Sequence, residues 1–274
     1  MRGSTLAALR LAASILILIS AGGPAAAKTI SITIGQKSEL QGDNLVVKTT
    51  VGNTGDETAK TVAATLRFGD KQVRGKQRDE LAPNATFEDD LTIATGPLGE
   101  GRWPYQIAVD YADANLYPFQ ALLMTTAVVG SPPPAKLSIP QIASDPIAES
   151  GTLTVHFKNL SPTERDASWR VAVPEGLEAS DPTGTVHLKP WGEATTSVGL
   201  VNRTALAGSR YPVFVSAEYD DGGVHQSIVA QNVVEIVAPR NFWEANQALF
   251  IGGAILLVVI WLGLVVQRAM SRPG

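Results

Sequence analysis

The run 248–266, ALFIGGAILLVVIWLGLVV, carries no charged residue and no proline. As an α-helix, about 19 residues rise roughly 28 Å, which matches the hydrocarbon thickness of a bilayer. A helix that is apolar on every face has no favourable place against water, and a core helix in a small domain keeps one polar side. The run therefore predicts a transmembrane helix over 248–266, with the lipid bilayer as its first partner. Ala248, Gly252 and Gly253 supply small side chains at which a second helix could approach closely. Phe242 and Trp243 precede the run, where aromatic side chains meet a lipid interface. Arg268 and Arg272 follow it, which places the tail 267–274 on the cytoplasmic side.

The N-terminus explains how the rest would come to lie outside. Arg2 and Arg10 flank a basic start, an apolar stretch peaks at SILILIS, and Ala25-Ala26-Ala27 ends in an A-x-A pattern. These are the three parts of a secretory signal peptide, predicted as 1–27 with cleavage before Lys28. The alternative is an uncleaved N-terminal anchor. With the C-terminal helix stopping transfer, the expected protein is single-pass, its bulk periplasmic or at the cell surface.

Between these ends the pattern changes to alternation with a period of two, the mark of half-buried strands. Ile30, Ile32 and Ile34 share one face, as do Val47, Thr49 and Val51, then Leu153, Val155 and Phe157, then Trp169, Val171 and Val173. Turn-forming clusters such as GNTGDE, PNAT, PLGEG and DDGG separate the runs. Many short strands with closely spaced turns predict an all-β sandwich architecture. The three prolines of SPPPAK cannot continue a central strand and divide the region. The halves match each other. Asn53 answers Asn159, Leu81-x-Pro83 answers Leu188-x-Pro190, and Tyr111 answers Tyr219. A nearly constant offset over a whole domain marks a tandem repeat. The expectation is all-β: two tandem immunoglobulin-like β-sandwiches, 28–130 and 136–238, plus one C-terminal transmembrane α-helix. A proline linker at 131–135 and a juxtamembrane linker at 239–247 join them. With so short a second linker, domain two would sit near the lipid, and domain one would reach further out past the proline hinge. The repeated asparagines read as turn residues that end a strand.

The motifs of each copy resemble the CARDB and NEW3-type families of extracellular immunoglobulin-like domains. The resemblance rests on VGNTGDETAKTVAATL with VHFKNLSPTERDASWRVAV, on LAPNAT with LKPWGEAT, and on GRWPYQIAVDY with GSRYPVFVSAEY. It covers most of the region between leader and helix. The second copy departs from it where Leu160-Ser161-Pro162 stands in place of Thr54-Gly55. What it implies is an adhesion, carbohydrate-associated or spacer module without catalytic residues.

The chemistry-bearing residues are sparse. Cysteine is absent from the 274 residues, which removes disulfides, thiolate metal sites and cysteine nucleophiles. A net charge of −4 without a basic cluster argues against nucleic acid as a partner. His156, His187 and His225 stand apart in sequence, with no H-x-H or H-x3-H spacing, so no metal and no cofactor is expected. Asp89-Asp90 lie on a strand and should point to opposite faces. Asp220-Asp221-Gly222-Gly223 reads as a hairpin turn rather than a calcium site. No nucleophile elbow, phosphate loop or S-x-x-K motif occurs.

The aromatics are the better candidates. Trp191, in the turn KPWGE, leads, followed by Trp103 and Tyr219; the competing reading is that such rings fill the cores. The function expected is that of a non-enzymatic, membrane-anchored envelope protein. Its sandwiches would act as scaffold or interaction module for another envelope or membrane protein. The alternative is a carbohydrate-binding or adhesion protein that holds a glycan through loop aromatics.

Overall fold

The computed structural model describes residues 29–239 and 242–270; within the helix, side chains are described over 246–261 and at Leu264. The leader, its cleavage point and Arg272 lie outside the described residues, as do the side chains of Phe242, Trp243 and Arg268.

Strand forms wherever the alternation is strongest. In the first unit, β1 (Ile32–Gln41), β2 (Asn44–Asn53) and β6 (Thr86–Ala94) make one antiparallel layer in the order β1-β2-β6. Against it lie β3 (Ala59–Phe68), flanked by the short β4 (Lys71–Arg74) and β5 (Arg78–Leu81), then β7 (Gly101–Ala112) and β8 (Pro118–Val129). Leu45, Val47 and Val51 of β2 meet Val62, Ala64 and Leu66 of β3 and Tyr105, Ile107 and Val109 of β7 in the core between them. The second unit repeats this plan. Its first layer is β12 (Leu177–Ala179), β14 (Glu193–Asn202), β10 (Ser150–Asn159) and β9 (Leu137–Ser144). Its second is β13 (Thr183–Leu188), β11 (Arg165–Ala172), β15 (Arg210–Asp221) and β16 (Val224–Glu235), which joins β7 so that the second layers of both units form one nine-stranded sheet. Leu153, Val155 and Phe157 face Trp169, Val171, Val213, Val215 and Ala217 across that core. Each large side chain so withdrawn contributes about 1.5–3 kcal/mol relative to exposure.

The repeated asparagines do more than end a strand. Asn53 is fully buried; its Nδ2 donates to the carbonyls of Glu57 (2.7 Å) and Leu81 (3.0 Å), and its Oδ1 accepts from Gly55 N–H (3.0 Å). Asn159 is buried in the same way. Its Nδ2 donates to Thr163 O (2.7 Å) and Lys189 O (3.0 Å), and its Oδ1 accepts from the Ser161 N–H (3.0 Å) and hydroxyl (2.7 Å). One amide thus ties the turn after its strand to the Leu-x-Pro turn of the facing layer, once per unit. A buried carbonyl needs such a partner, because no water reaches it.

The proline segment does not hold the units apart, which corrects the expectation of an outlying first domain. The chain turns back there, and the units lie side by side. β7 and β16 run parallel and meet through the pair Gly101–His225. Ala108, Leu122, Met124, Ala172 and Phe214 form a small apolar core between the units. Arg102 fastens the prolines, donating from Nη1 to Pro133 O (2.6 Å) and to Gln226 Oε1 (2.8 Å). Gln226 is fully buried and donates to Pro133 O at 3.2 Å. Gly101 is required at this contact: its φ is 153°, and a Cβ would lie 2.2 Å from the carbonyl oxygen of His225. As a consequence, Thr29 and Ile30 line the same hollow as Gly208 and Ser209. The start of unit one therefore lies at the end from which the chain leaves unit two, where Val237 N–H donates to Ile147 O.

Beyond unit two, α1 (Phe242–Met270) is a single helix. Its unbroken described side chains, 246–261, span about 24 Å of rise. Among the described residues, no helix is long and apolar enough to cross a membrane.

Removing either clamp strands buried carbonyls and N–H groups. Asn53→Ala and Asn159→Ala should each lower unfolding free energy by about 2–4 kcal/mol, from two or more lost buried hydrogen bonds. The sites share no partner, so the double variant should show the sum of the two in chemical denaturation.

Candidate functional site

Two places concentrate unusual chemistry: the turn carrying Trp191 and the seam between the units. Trp191 follows Lys189 and Pro190 at the end of β13, and its N–H donates to Ser161 O at 3.0 Å. That bond belongs to the network of the Asn159 clamp. The backbone there is left-handed, with φ 55°. The equivalent position of unit one holds Asn84 at φ 60°, a residue that tolerates this region through its short polar side chain. A tryptophan there carries backbone strain of about 1–2 kcal/mol. The residue is also 63% exposed. Leu160, 42% exposed, lies on the same turn network through its N–H to Lys136 O. The turn thus presents an apolar tip on a rigid base.

The other two aromatic candidates sit elsewhere. Trp103 stacks on His225 across the seam, with ring centroids 3.9 Å apart and planes 14° from parallel, and its Nε1 donates to Gly99 O. Tyr219 is only 5% exposed. Its hydroxyl accepts from Lys136 N–H (2.6 Å), and the Arg165 guanidinium lies over its ring. Burial raises its pKa, and that bond and the cations oppose the rise. Tyr219 as a partner contact is therefore corrected: the period-two alternation that turns Val213, Val215 and Ala217 inward turns it inward as well.

The histidines do not converge. His156 shares a hydrogen bond with Thr195 (3.1 Å), and His187 pairs with Asp166 (2.8 Å). His225 Nε2 lies 3.1 Å from Glu218 and its Nδ1 3.5 Å from Asp220. Among the described residues, no group of three or more His, Asp or Glu is arranged to hold a metal. The acidic pairs divide as strand geometry requires. Asp89 is buried and accepts from Lys76 N–H (2.8 Å), while Asp90 is exposed. Asp221 turns toward Lys136 (2.9 Å) and Arg165 (3.0 Å), and Asp220 turns outward. The hydrogen bond from Lys136 holds the Asp221 carboxyl below its ordinary range, with Arg165 adding to it. Gly222 and Gly223, both at positive φ, make the hairpin turn. Sequence reasoning missed the roles of Asp221, Arg165 and Arg102. Each acts on a partner far away in the chain, and no local pattern marks it.

Ala248, Gly252 and Gly253 lie on α1 with exposed surfaces, and nothing stands within 4 Å of where a Cβ on either glycine would sit.

No family model and no curated protein sequence matches the chain. Among solved structures, a transglutaminase from red sea bream is similar over 77% of this chain and 31% of its own, at 12% identity and TM-score 0.28. An α2-macroglobulin from Escherichia coli, activated by porcine elastase, is similar over 76% of this chain and 22% of its own, at 11% identity and TM-score 0.32. The chain thus spans less than a third of either molecule. Likenesses this distant carry no argument about what it does.

The seam has a proton-dependent contact. The bond to Glu218 raises the pKa of His225 above the ordinary histidine value, with Asp220 and the Glu218 charge adding and burial opposing. The resulting stabilisation is fully present below the unfolded value of about 6.5 and is lost as pH rises through the raised folded value. The thermal midpoint should fall as pH is raised from 6 toward 9. In the His225→Asn variant, that part of the slope should disappear.

Proposed function

We propose that this is a non-enzymatic, membrane-anchored envelope protein whose two layered units form a rigid interaction module for another envelope or membrane protein. The observation that carries the reading is the surface of α1. Leu249, Ile251, Ile255, Leu256, Leu257, Val258, Val259, Ile260 and Trp261 are between 49% and 74% exposed, on every side of the helix. So continuous an apolar surface is stable only in lipid or against another apolar surface. On this reading 248–266 is the transmembrane helix and 1–27 the signal peptide. Phe242 and Trp243 then meet the outer interface, and Arg268 and Arg272 lie in the cytoplasm. Ala248, Gly252 and Gly253 offer the face for a partner helix. The units are immunoglobulin-like and akin to the CARDB and NEW3-type domains. Because the start of unit one lies at the end where the chain leaves unit two, both units stand at the lipid surface rather than in line above it.

A second reading is favoured by Trp191 alone. A strained, exposed tryptophan on a braced turn suits stacking on a sugar ring, so the module could act as a carbohydrate-binding or adhesion protein.

The test uses the full chain, extracted from membranes in mild detergent. Co-purification should recover a specific membrane protein, and substitution of Gly252 and Gly253 by Leu should reduce that recovery at least several-fold. Extraction of the protein by alkaline carbonate without detergent would overturn the anchored reading. On a glycan array, binding that falls at least tenfold in Trp191→Asn would establish the second reading instead. That variant should also be about 0.5–1 kcal/mol more stable, because asparagine tolerates the left-handed backbone.

A further inference from the structure

A groove of about 500 Å³ runs along one side of the seam, beside the stacked Trp103 and His225. Its two walls come from different units. On one wall, Leu66 turns into the core of unit one and its neighbour Arg67 therefore points out. On the other, Trp169 and Val171 turn into the core of unit two, and Arg170 between them points out. Both arginines line the groove and both are exposed. Pro104 and Met124 supply an apolar floor between them.

The charges in the groove are unevenly matched. Its two carboxylates are taken: Glu218 by His225 at 3.1 Å, and Glu178 by Arg203 at 2.7 Å. In the adjoining hollow, which Arg67 also lines, Asp110 is taken by Arg74 and by Gln120, each at 2.7 Å, and Glu175 lines that hollow without lining the groove. The side chains of Arg67 and Arg170 have neither a hydrogen bond nor an ion pair among the described residues. Two unpaired guanidiniums thus flank one cleft in a protein whose net charge is −4. Neither guanidinium is neutralised from within the protein, so an oxyanion that enters the cleft meets uncompensated positive charge.

We propose that this groove binds a sugar-sized anionic ligand whose carboxylate or phosphate is held between Arg67 and Arg170. The planar guanidinium presents paired N–H groups that match either oxyanion. The floor at Pro104 and Met124 takes the carbon skeleton, and the volume falls in the range of small-molecule sites. Because the walls belong to different units, the bound anion also draws them together. Binding therefore stabilises the fold by linkage. This proposal does not depend on how the chain is anchored.

The test is calorimetric titration of the full chain in detergent at low ionic strength, with three probes: inorganic pyrophosphate, digalacturonate and the neutral disaccharide cellobiose. At least one anion should bind with one-to-one stoichiometry and raise the thermal midpoint, and cellobiose should do neither. Which anion binds separates a phosphate ligand from a carboxylate one. Arg67→Gln and Arg170→Gln should each weaken binding at least tenfold, without moving the midpoint of the unliganded protein. Arg67→Lys with Arg170→Lys, which keeps charge but loses the paired geometry, should bind between the two extremes. No binding of either anion, binding of cellobiose as tight as that of the anions, or undiminished binding in either glutamine variant would overturn the proposal.

Discussion

The arrangement of this protein depends on one contact, the meeting of Gly101 and His225 where β7 and β16 come together. The approach is close enough that only glycine fits, and it brings Trp103 flat against the imidazole. Around it, Arg102 and Gln226 satisfy the carbonyls of the proline segment. Without these bonds the backbone of three consecutive prolines, which has no N–H of its own, would stand as a stiff spacer. With them it becomes the top of a turn-back. The apolar patch of Ala108, Leu122, Met124, Ala172 and Phe214 then seals the two units together.

The seam also decides what the surface can do. The outward-facing residues of the two second layers, which would each meet only water in a string of separate units, here pack against one another across the seam. Arg67 and Arg170 become opposite walls of a single groove, and His225, whose carboxylate partners Glu218 and Asp220 come from its own hairpin, gains Trp103 flat against its ring. The tip at Trp191 is different in kind. It lies within one unit, on the brace provided by Asn159, and its exposure owes nothing to the seam.

Much of the fold was legible because strand alternation is a local property. Ile30, Ile32 and Ile34, or Leu153, Val155 and Phe157, declare a buried face within six residues, and the turns between them carry their own chemistry. Asn53 and Asn159 stood out by position, each at the end of a strand run and before a turn cluster. Their work as clamps did not, since it depends on carbonyls of Leu81 and Lys189 that lie about thirty residues on. Trp191 was singled out correctly as a residue in a turn, but the left-handed backbone beneath it is visible only in three dimensions. Tyr219 was misjudged because an aromatic beside an acidic turn looks exposed, whereas its parity along β15 puts it inside.

The sequence by itself determined the all-β character of the two units, the dividing prolines, the absence of thiol chemistry and the apolar character of 248–266. All of these are matters of composition and short-range period. Only the tertiary structure decided that the units fold back on each other, that Arg102 and Asp221 pin the linker, and that Arg67 and Arg170 face across a shared groove. Those outcomes turn on contacts between residues tens of positions apart. No local pattern encodes them, because the free energy that selects them comes from complementary surfaces that exist only once each unit has folded.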